Sequence, residues 1–366
     1  MTTARLPAAL LAAEDDPATL TTPLPALVAQ SDAWLDRTGL LGRAARSRLY
    51  APRWRAAGFA PARAASGANR RQELRQAPFT DGRDLLALAA NGRDLAAALL
   101  APPRAWVTSR GVDSAKKWLP LTLGDTARWL GRVRRVARLL ALEQDGAANP
   151  GLIINEPLPY VSNALPYLWE RADALLGGGR GEYIIVSMTM LARNHWDRFA
   201  AQKQPQWIAA SVADARALGH ALDADRKLAR LKRGVFWGAP LDGAPAARAE
   251  LAALFGLSEA FSVYFSAECR EMYAECPAHD GLHLWMDGAI HEILPDGATA
   301  AQFVDETAAG VEGEYVVTTG GEALPLVRYR TGDRIRVVST APCACGITHP
   351  RVRFLGRLAG SGDQIR

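Results

Sequence analysis

The chain has 366 residues, with 43 Lys+Arg against 38 Asp+Glu and a formal net charge of +5. About half of it is apolar (49%) and 22% is charged. That balance excludes disordered, collagen-like and coiled-coil chains and leaves two globular domains, or one large domain with an appendage.

No apolar run reaches the ~18–20 residues of a membrane span, so no membrane partner is expected. The excess cations are scattered. Their densest cluster is Arg132, Arg134, Arg135 and Arg138, set among Trp129, Leu130, Leu139 and Leu140. It reads as the solvated side of an amphipathic helix, so nucleic acid is not an expected partner either. The first residues carry Arg5, Pro7, Glu14, Asp15 and Asp16 without the apolar core of a secretory signal. Four cysteines are too few for a disulfide scaffold, and the expected location is the cytoplasm.

Apolar residues at three- and four-residue spacing predict helices over Ala26–Leu41 and Asp84–Leu100, with a loop at Ala60–Asn69 and a helix start at Thr80–Asp81. Strand and helix then alternate. Ala105–Val107 is a strand running into the polar stretch Thr108–Ser114, and Thr126–Leu142 is a helix. Leu152–Ile154 is a strand, followed by a loop at Asn155–Tyr160, a helix at Ala164–Leu176 and a glycine turn at Gly177–Gly181. Strands at Tyr183–Val186, Trp207–Ala210 and Gly234–Trp237 enclose a helix at Val212–Leu222. This alternation predicts a doubly wound α/β core. The last third holds short strands at Gly281–Trp285, Glu292–Leu294, Gly313–Thr318, Leu326–Arg330 and Arg334–Val338, which predict a smaller antiparallel subdomain. The expected divisions are a helical region (1–102), an α/β core (103–262), a β-rich subdomain (263–357) and a glycine-rich hinge (358–366).

The strongest local signal is Leu326-Val327-Arg328-Tyr329-Arg330-Thr331-Gly332-Asp333-Arg334. A strand delivers an aromatic and two arginines, and a Thr-Gly turn then presents one carboxylate, which can accept two hydrogen bonds from a ribose diol. A plain β-turn with a surface ion pair would read the same way. Cys276-x6-His283 and Cys343-x-Cys345 form a second constellation. Three thiolates and one imidazole suit a closed, structural zinc site. Four unlinked side chains are the alternative, and His279 or His349 could stand in for His283.

Arg-Tyr-Arg-Thr-Gly-Asp resembles a signature of the adenylate-forming acyl-CoA synthetase superfamily, and its surroundings are similar to the phenylacetate–CoA ligase branch. The matching residues are Glu275-Cys276-Pro277, Asp280–Trp285, Glu292, Gly313-Glu314, Val316–Thr319, Glu322–Pro325, Cys343–Gly346, Thr348–Arg351 and Gly356-Arg357. Leu74–Thr80 also resembles that branch. The resemblance implies ATP-dependent activation of a small carboxylic acid, aromatic acids among the candidates, as its acyl-adenylate. Transfer to CoA, a carrier protein or an amine would follow. Asp333 would bind the ribose, with Arg357 near the ribose and α-phosphate. Tyr264 in Tyr264–Glu268 would pack on adenine and Glu268 would help hold Mg²⁺. Trp237–Leu241, with Gly238, Ala239 and Pro240, resembles the adenine loop. Thr108–Lys117 is the cognate of the phosphate loop, in which Thr108, Ser109 and the terminal lysine, Lys117, survive.

The departures are specific. Ala267 and Phe265 replace a threonine and a glycine of the family pattern. The phosphate loop lacks two glycines and carries Asp113, so it reads either as an altered loop or as one that holds ATP poorly. By analogy Tyr160, Asn163, His195, Trp196 and Trp237 line the acyl pocket. The resemblance also expects a lysine-bearing C-terminal domain beyond Arg357, and the sequence stops shortly after that residue. The rival expectations are therefore a weakened homologue acting as a nucleotide- or acyl-binding module, and a subunit that relies on a separate C-terminal domain from a partner.

Overall fold

The computed structural model describes residues 16–61, 69–108, 117–142, 151–154, 183–186, 204–221 and 231–358. In chain order it begins with helices α1 (Leu24–Thr38), α2 (Leu40–Ala44), α3 (Ala51–Ala56), α4 (Arg70–Leu74), α5 (Gly82–Ala89) and α6 (Gly92–Ala98). Strands β1 (Ala105–Thr108) and β2 (Trp118–Leu121), helix α7 (Leu123–Leu139) and strands β3 (Gly151–Ile154), β4 (Tyr183–Val186) and β5 (Trp207–Ser211) follow. Then come α8 (Val212–Ala221), β6 (Arg233–Trp237), α9 (Pro245–Phe255), β7 (Glu259–Ser266), β8 (Glu271–Ala274), β9 (Leu282–His283) and β10 (Ala289–Pro295). The series ends with β11 (Gln302–Phe303), β12 (Glu312–Thr319), β13 (Leu326–Ser339) and β14 (Arg351–Arg357). No described helix is long and apolar enough to cross a membrane. The chain divides into two units, one of residues 127–266 and 271–282, the other of 16–126, 267–270 and 283 onward.

The first unit is the α/β half. Strands β4, β3, β5, β6 and β7 pair in that order, all parallel, and β8 returns antiparallel to β7. Parallel strands are buried on both faces, which explains the unbroken apolar runs Leu152–Ile154 and Trp207–Ala210. Their core gathers Leu152, Ile154, Ile208, Phe236, Leu251 and Phe255, each contributing ~1.5–3 kcal/mol by leaving water. Gly151 is fixed by packing, since a Cβ there would fall 1.9 Å from the Trp207 ring.

One expectation fails here. Arg132 and Arg135 on α7 are buried rather than solvated. Arg132 donates from Nε to Glu271 Oε2 on β8 at 3.0 Å, with both side chains fully enclosed. Arg138, one turn on, is exposed as expected. The cluster is split by a partner carboxylate that lies far along the chain.

The second unit is an antiparallel meander, β11-β10-β12-β13-β14, with β1 and β2 forming a separate two-stranded ribbon. Helices α1 to α4 bury Leu35, Leu40, Trp54 and Leu74 against Ile290, Phe303 and Val327 of the meander. The long N-terminal helices expected from periodicity are each interrupted. Gly39, at φ +55°, closes α1 and opens α2, and Asn91 caps a new helix, α6, inside the predicted span Asp84–Leu100. Asp81 starts α5 with a full capping box, accepting from the Arg83 and Asp84 N–H groups.

A second correction concerns the signature itself. Thr331-Gly332-Asp333 is not a loop between two strands. It lies inside the 14-residue β13, where the pairing register with β12 shifts between Glu314 and Val316. Gly332 takes φ +75° there, so the turn expected from Thr-Gly is an irregularity within one continuous strand.

Candidate functional site

Asp333 reaches its position through that irregularity. Gly332 donates its N–H to Glu314 Oε1 at 3.1 Å, Thr331 Oγ1 donates to Tyr315 O at 2.9 Å, and the Asp333 N–H donates to Thr331 Oγ1 at 3.1 Å. The Asp333 carboxylate is thereby aimed at β14, where its register partner is Arg357. Arg357 donates Nη1 to Asp333 Oδ1 at 2.9 Å and to Thr331 O at 2.9 Å.

A second pair stands in the same unit. Lys117, just ahead of β2, donates Nζ to Glu268 Oε1 at 2.8 Å. Glu268 occupies the short turn between β7 and β8. Both side chains are largely covered, at 13% and 15% exposure. Burial pushes the Glu268 carboxyl up, but the charge and hydrogen bond of Lys117, helped by Arg357, hold it below the usual carboxylate range. Glu268 therefore stays ionised at neutral pH. The tip of Lys117 also lies over Gly82, at the start of α5, where an added Cβ would fall 2.9 Å from Cε and 3.6 Å from the Tyr329 hydroxyl.

Tyr329 is 2% exposed. Burial first, and then the nearby carboxylate of Glu268, raises its hydroxyl well above the ordinary tyrosine value, so it acts as a neutral hydrogen-bonding group. Sequence reasoning assigned it no role. Its position is fixed from the N-terminal side by Thr80, whose carbonyl accepts from Arg330 N at 2.7 Å and whose N–H donates to Arg328 O at 3.2 Å. The two arginines of the signature are structural. Arg328, buried and at φ +46°, forms three hydrogen bonds of 2.9–3.2 Å to Glu292 and donates Nη1 to Arg75 O and Ala77 O. Arg330 pairs with Glu314 at 2.5 Å.

In the first unit, Trp237 ends β6 and Gly238 follows at φ +85°, the left-handed turn for which a glycine is suited. Ala239 packs on the core of that unit, and Pro240 follows it. Tyr264 lies on β7 opposite Tyr273 of β8, the two rings stacked at 5.9 Å. Phe265 stacks on Trp129 at 5.1 Å. Thr108 ends β1 and is buried. Ser109, the remainder of the phosphate-loop cognate up to Lys116, and Tyr160, Asn163, His195 and Trp196 lie outside the described residues, as do the predicted elements between 155 and 182.

The four metal-ligand candidates come together. One donor atom from each of Cys276, His283, Cys343 and Cys345 lies within 4.8 Å of the others, and Cys345 Sγ is 3.6 Å from His283 Nε2. Tetrahedral zinc, with bonds of ~2.0–2.3 Å, needs donors about 3.3–3.8 Å apart. Gly346, at φ +87°, and the bonds Gly346 N–H to Cys343 O and Cys343 N–H to Ile347 O fold Cys343 and Cys345 into one tight knuckle. The two stand-ins are otherwise engaged. His349 Nδ1 accepts from Met286 N at 3.1 Å and its Nε2 lies 3.1 Å from Thr19 O. His279 Nδ1 lies 3.0 Å from Arg248 Nη1 and 3.4 Å from Glu275.

No protein-family model and no curated protein sequence matches the chain. Solved structures do. A 2-hydroxyisobutyryl-CoA ligase, captured open with 2-HIB-AMP and CoA, superposes with a TM-score of 0.74 at 17% identity, over 93% of this chain and 72% of that one. The chain has the fold of the adenylate-forming CoA ligases. The same ligase in its postadenylation state with 2-HIB-AMP gives 0.73 over 93% of this chain and 70% of that one, at 17% identity. In its thioesterification state with 2-HIB-AMP and CoA it gives 0.71 over the same shares, again at 17% identity. At this identity the likeness speaks for the fold of the adenylate-forming ligases and leaves the chemistry to the residues.

Proposed function

We propose that this adenylate-forming fold activates a small carboxylic acid with ATP, giving an acyl-adenylate and pyrophosphate. The observation that carries the reading is the juxtaposition of Asp333–Arg357 and Lys117–Glu268 around the buried Tyr329. A diol-binding carboxylate, two cations and a second ionised carboxylate are the groups an adenylation site needs. Asp333 would take the ribose hydroxyls, Arg357 and Lys117 would balance negative charge growing on the α-phosphoryl oxygens, and Tyr264 with Gly238–Pro240 would receive adenine. Pre-set cations help because their orientation costs nothing at the moment of attack.

Glu268 is ionised and offers hard oxygen, which fits Mg²⁺. Bound there, the metal would neutralise phosphate charge, and Lys117 would move from Glu268 to the phosphates. The CysCysCysHis set fits zinc, and a closed site of this kind would be structural. The phenylacetate–CoA ligase-like branch, and CoA rather than a carrier protein or an amine as acceptor, belong to the same proposal.

Mixing the protein with Mg-ATP and a panel of aryl and short hydroxy acids should release pyrophosphate with at least one acid. Tight ATP binding with no release from any acid would replace this reading by that of a nucleotide-binding module. Purification without added metal should leave about one zinc per chain, and Cys345→Ser should lose it. Metal-free wild-type protein of unchanged stability would remove the zinc assignment.

A further inference from the structure

Lys117, Glu268 and Tyr329 come from three separate stretches of the second unit, and one buried polar knot ties those stretches together. Arg270 closes the turn that holds Glu268. Its φ of +58° is a left-handed conformation that L side chains adopt only at a cost. Surroundings must hold such a residue in place. Its guanidinium, 2% exposed, donates Nη2 to Pro120 O on β2 at 3.0 Å. Its Nη1 lies 3.5 Å from Leu324 O and 3.5 Å from Asp125 Oδ1. Pro120 belongs to the strand that Lys117 precedes, and Leu324 to the segment that enters β13.

The cradle is shaped for this side chain. A Cβ at Gly321 would fall 2.2 Å from Arg270 Nη1 and 2.4 Å from Leu324 O, so only glycine lets the guanidinium in. Asp125 fastens the other side. It accepts the Glu322 N–H at 2.8 Å, the Thr122 N–H at 3.1 Å and the Ala323 N–H at 3.4 Å. Thr122 Oγ1 accepts the Asp125 N–H at 3.0 Å, completing a reciprocal cap at the start of α7, and donates to Glu322 Oε2 at 2.6 Å. Burial raises the Asp125 carboxyl, but Arg270 and the three N–H donors outweigh it and hold it below the usual range.

We propose that Arg270, clamped by Asp125, is a positioning residue. It locks the Glu268 turn, the strand end bearing Lys117 and the entry to β13 into one register, so that the Lys117–Glu268 pair forms. Arg270 touches none of the groups assigned to the nucleotide and acts through Glu268. The positioning stands on geometry alone; only its consequence for nucleotide binding rests on the function proposed above.

Competitive acetylation of the full chain with acetic anhydride, read residue by residue by mass spectrometry, tests it. Exposed Lys232 serves as the internal reference. In wild type, Lys117 should label more slowly than Lys232. Glu268→Gln should raise the Lys117 rate roughly three- to tenfold relative to Lys232, as expected for loss of a largely buried, charge-assisted hydrogen bond. Arg270→Met should give the same rise, Arg270→Lys a smaller one because its ammonium can still reach Pro120 O, and Asp125→Asn an intermediate one.

A folded Arg270→Met with Lys117 protected as in wild type overturns the proposal. So does an unchanged Lys117 rate in Glu268→Gln, which would mean that the pair does not form. Where Arg270→Met unfolds, seen as a rise at every lysine, folded Arg270→Lys and Asp125→Asn decide. Wild-type protection in both overturns the proposal, and a selective rise at Lys117 supports it. ATP titration of the same proteins separates the two readings. Wild type that fails to bind ATP defeats the nucleotide site, while a selective rise at Lys117 in Arg270→Met still establishes the positioning role.

Discussion

Two ion pairs on strand β13, five residues apart along the chain, are enclosed to different degrees. At one end Arg328 is sealed against Glu292, Arg75 O, Ala77 O and the Phe79 ring, whose centroid lies 4.1 Å from its guanidinium carbon. Five residues along the chain, in the middle of the strand, Asp333 pairs with Arg357, whose side chain is 21% exposed. The enclosed pair ties the segment before α5 to the sheet. The mid-strand pair is the less enclosed of the two, chiefly on its arginine side. Arg328 spends its donors on fixed protein oxygens, whereas under the proposed function Asp333 would take a ribose diol.

The largest expected effect comes from breaking the sealed pair. Arg328→Met leaves Glu292 buried without its cation, and removing one partner of a buried pair costs about 3–5 kcal/mol. Thermal and urea unfolding should report a loss of that size. ATP affinity, measured on protein that remains folded, should change far less. The reverse pattern is expected at the mid-strand pair, where Asp333→Ala leaves Arg357 partly exposed and still bonded to Thr331 O; it should cost less stability than Arg328→Met and weaken ATP binding about tenfold or more through the lost diol contacts. Should the two variants behave alike, the division of β13 into a structural pair and a ligand-binding pair would be wrong.

The smallest effect is in pH dependence, and it sharpens the same contrast. Burial wins at Glu292, whose carboxyl is raised despite Arg328, whereas partners win at Asp125, whose carboxyl is lowered. A lowered carboxyl binds its proton less readily in the folded state. Its stabilisation is therefore complete above the ordinary aspartate value of ~3.9 and is lost as pH falls through the lower folded value. Glu292 runs the other way, its contribution being full below the ordinary glutamate value and lost as pH rises through the raised one. Urea unfolding below about pH 4 should show stability rising with pH, with that slope reduced in Asp125→Asn. An identical slope in the variant would deny Asp125 its ionised, clamped state.

Much of this was legible beforehand. The α/β alternation, the antiparallel last third and the Cys/His set were read from periodicity and spacing, because each depends on residues close in sequence or of unmistakable chemistry. Arg132 was misread because its partner Glu271 lies on a strand well over a hundred residues away, and no local pattern announces that a carboxylate will meet it. Thr331–Asp333 was misread as a loop because Thr-Gly-Asp has turn chemistry, and only the pairing with β12 and β14 keeps the strand continuous. The Lys117–Glu268 pair and the Arg270 knot depend on three distant stretches meeting. The one local hint was Thr122-x-x-Asp125, a helix-start pattern that went unused.

Under the proposed function Asp333 holds a ribose diol. Calorimetric titration of wild type and Asp333→Ala with ATP and with 2′,3′-dideoxy-ATP tests it directly, since the second ligand lacks only the two hydroxyls. Wild type should bind ATP about tenfold or more tightly than the dideoxy analogue, and in Asp333→Ala the two should bind alike. An equal gap in both proteins, or no gap in wild type, would contradict the account.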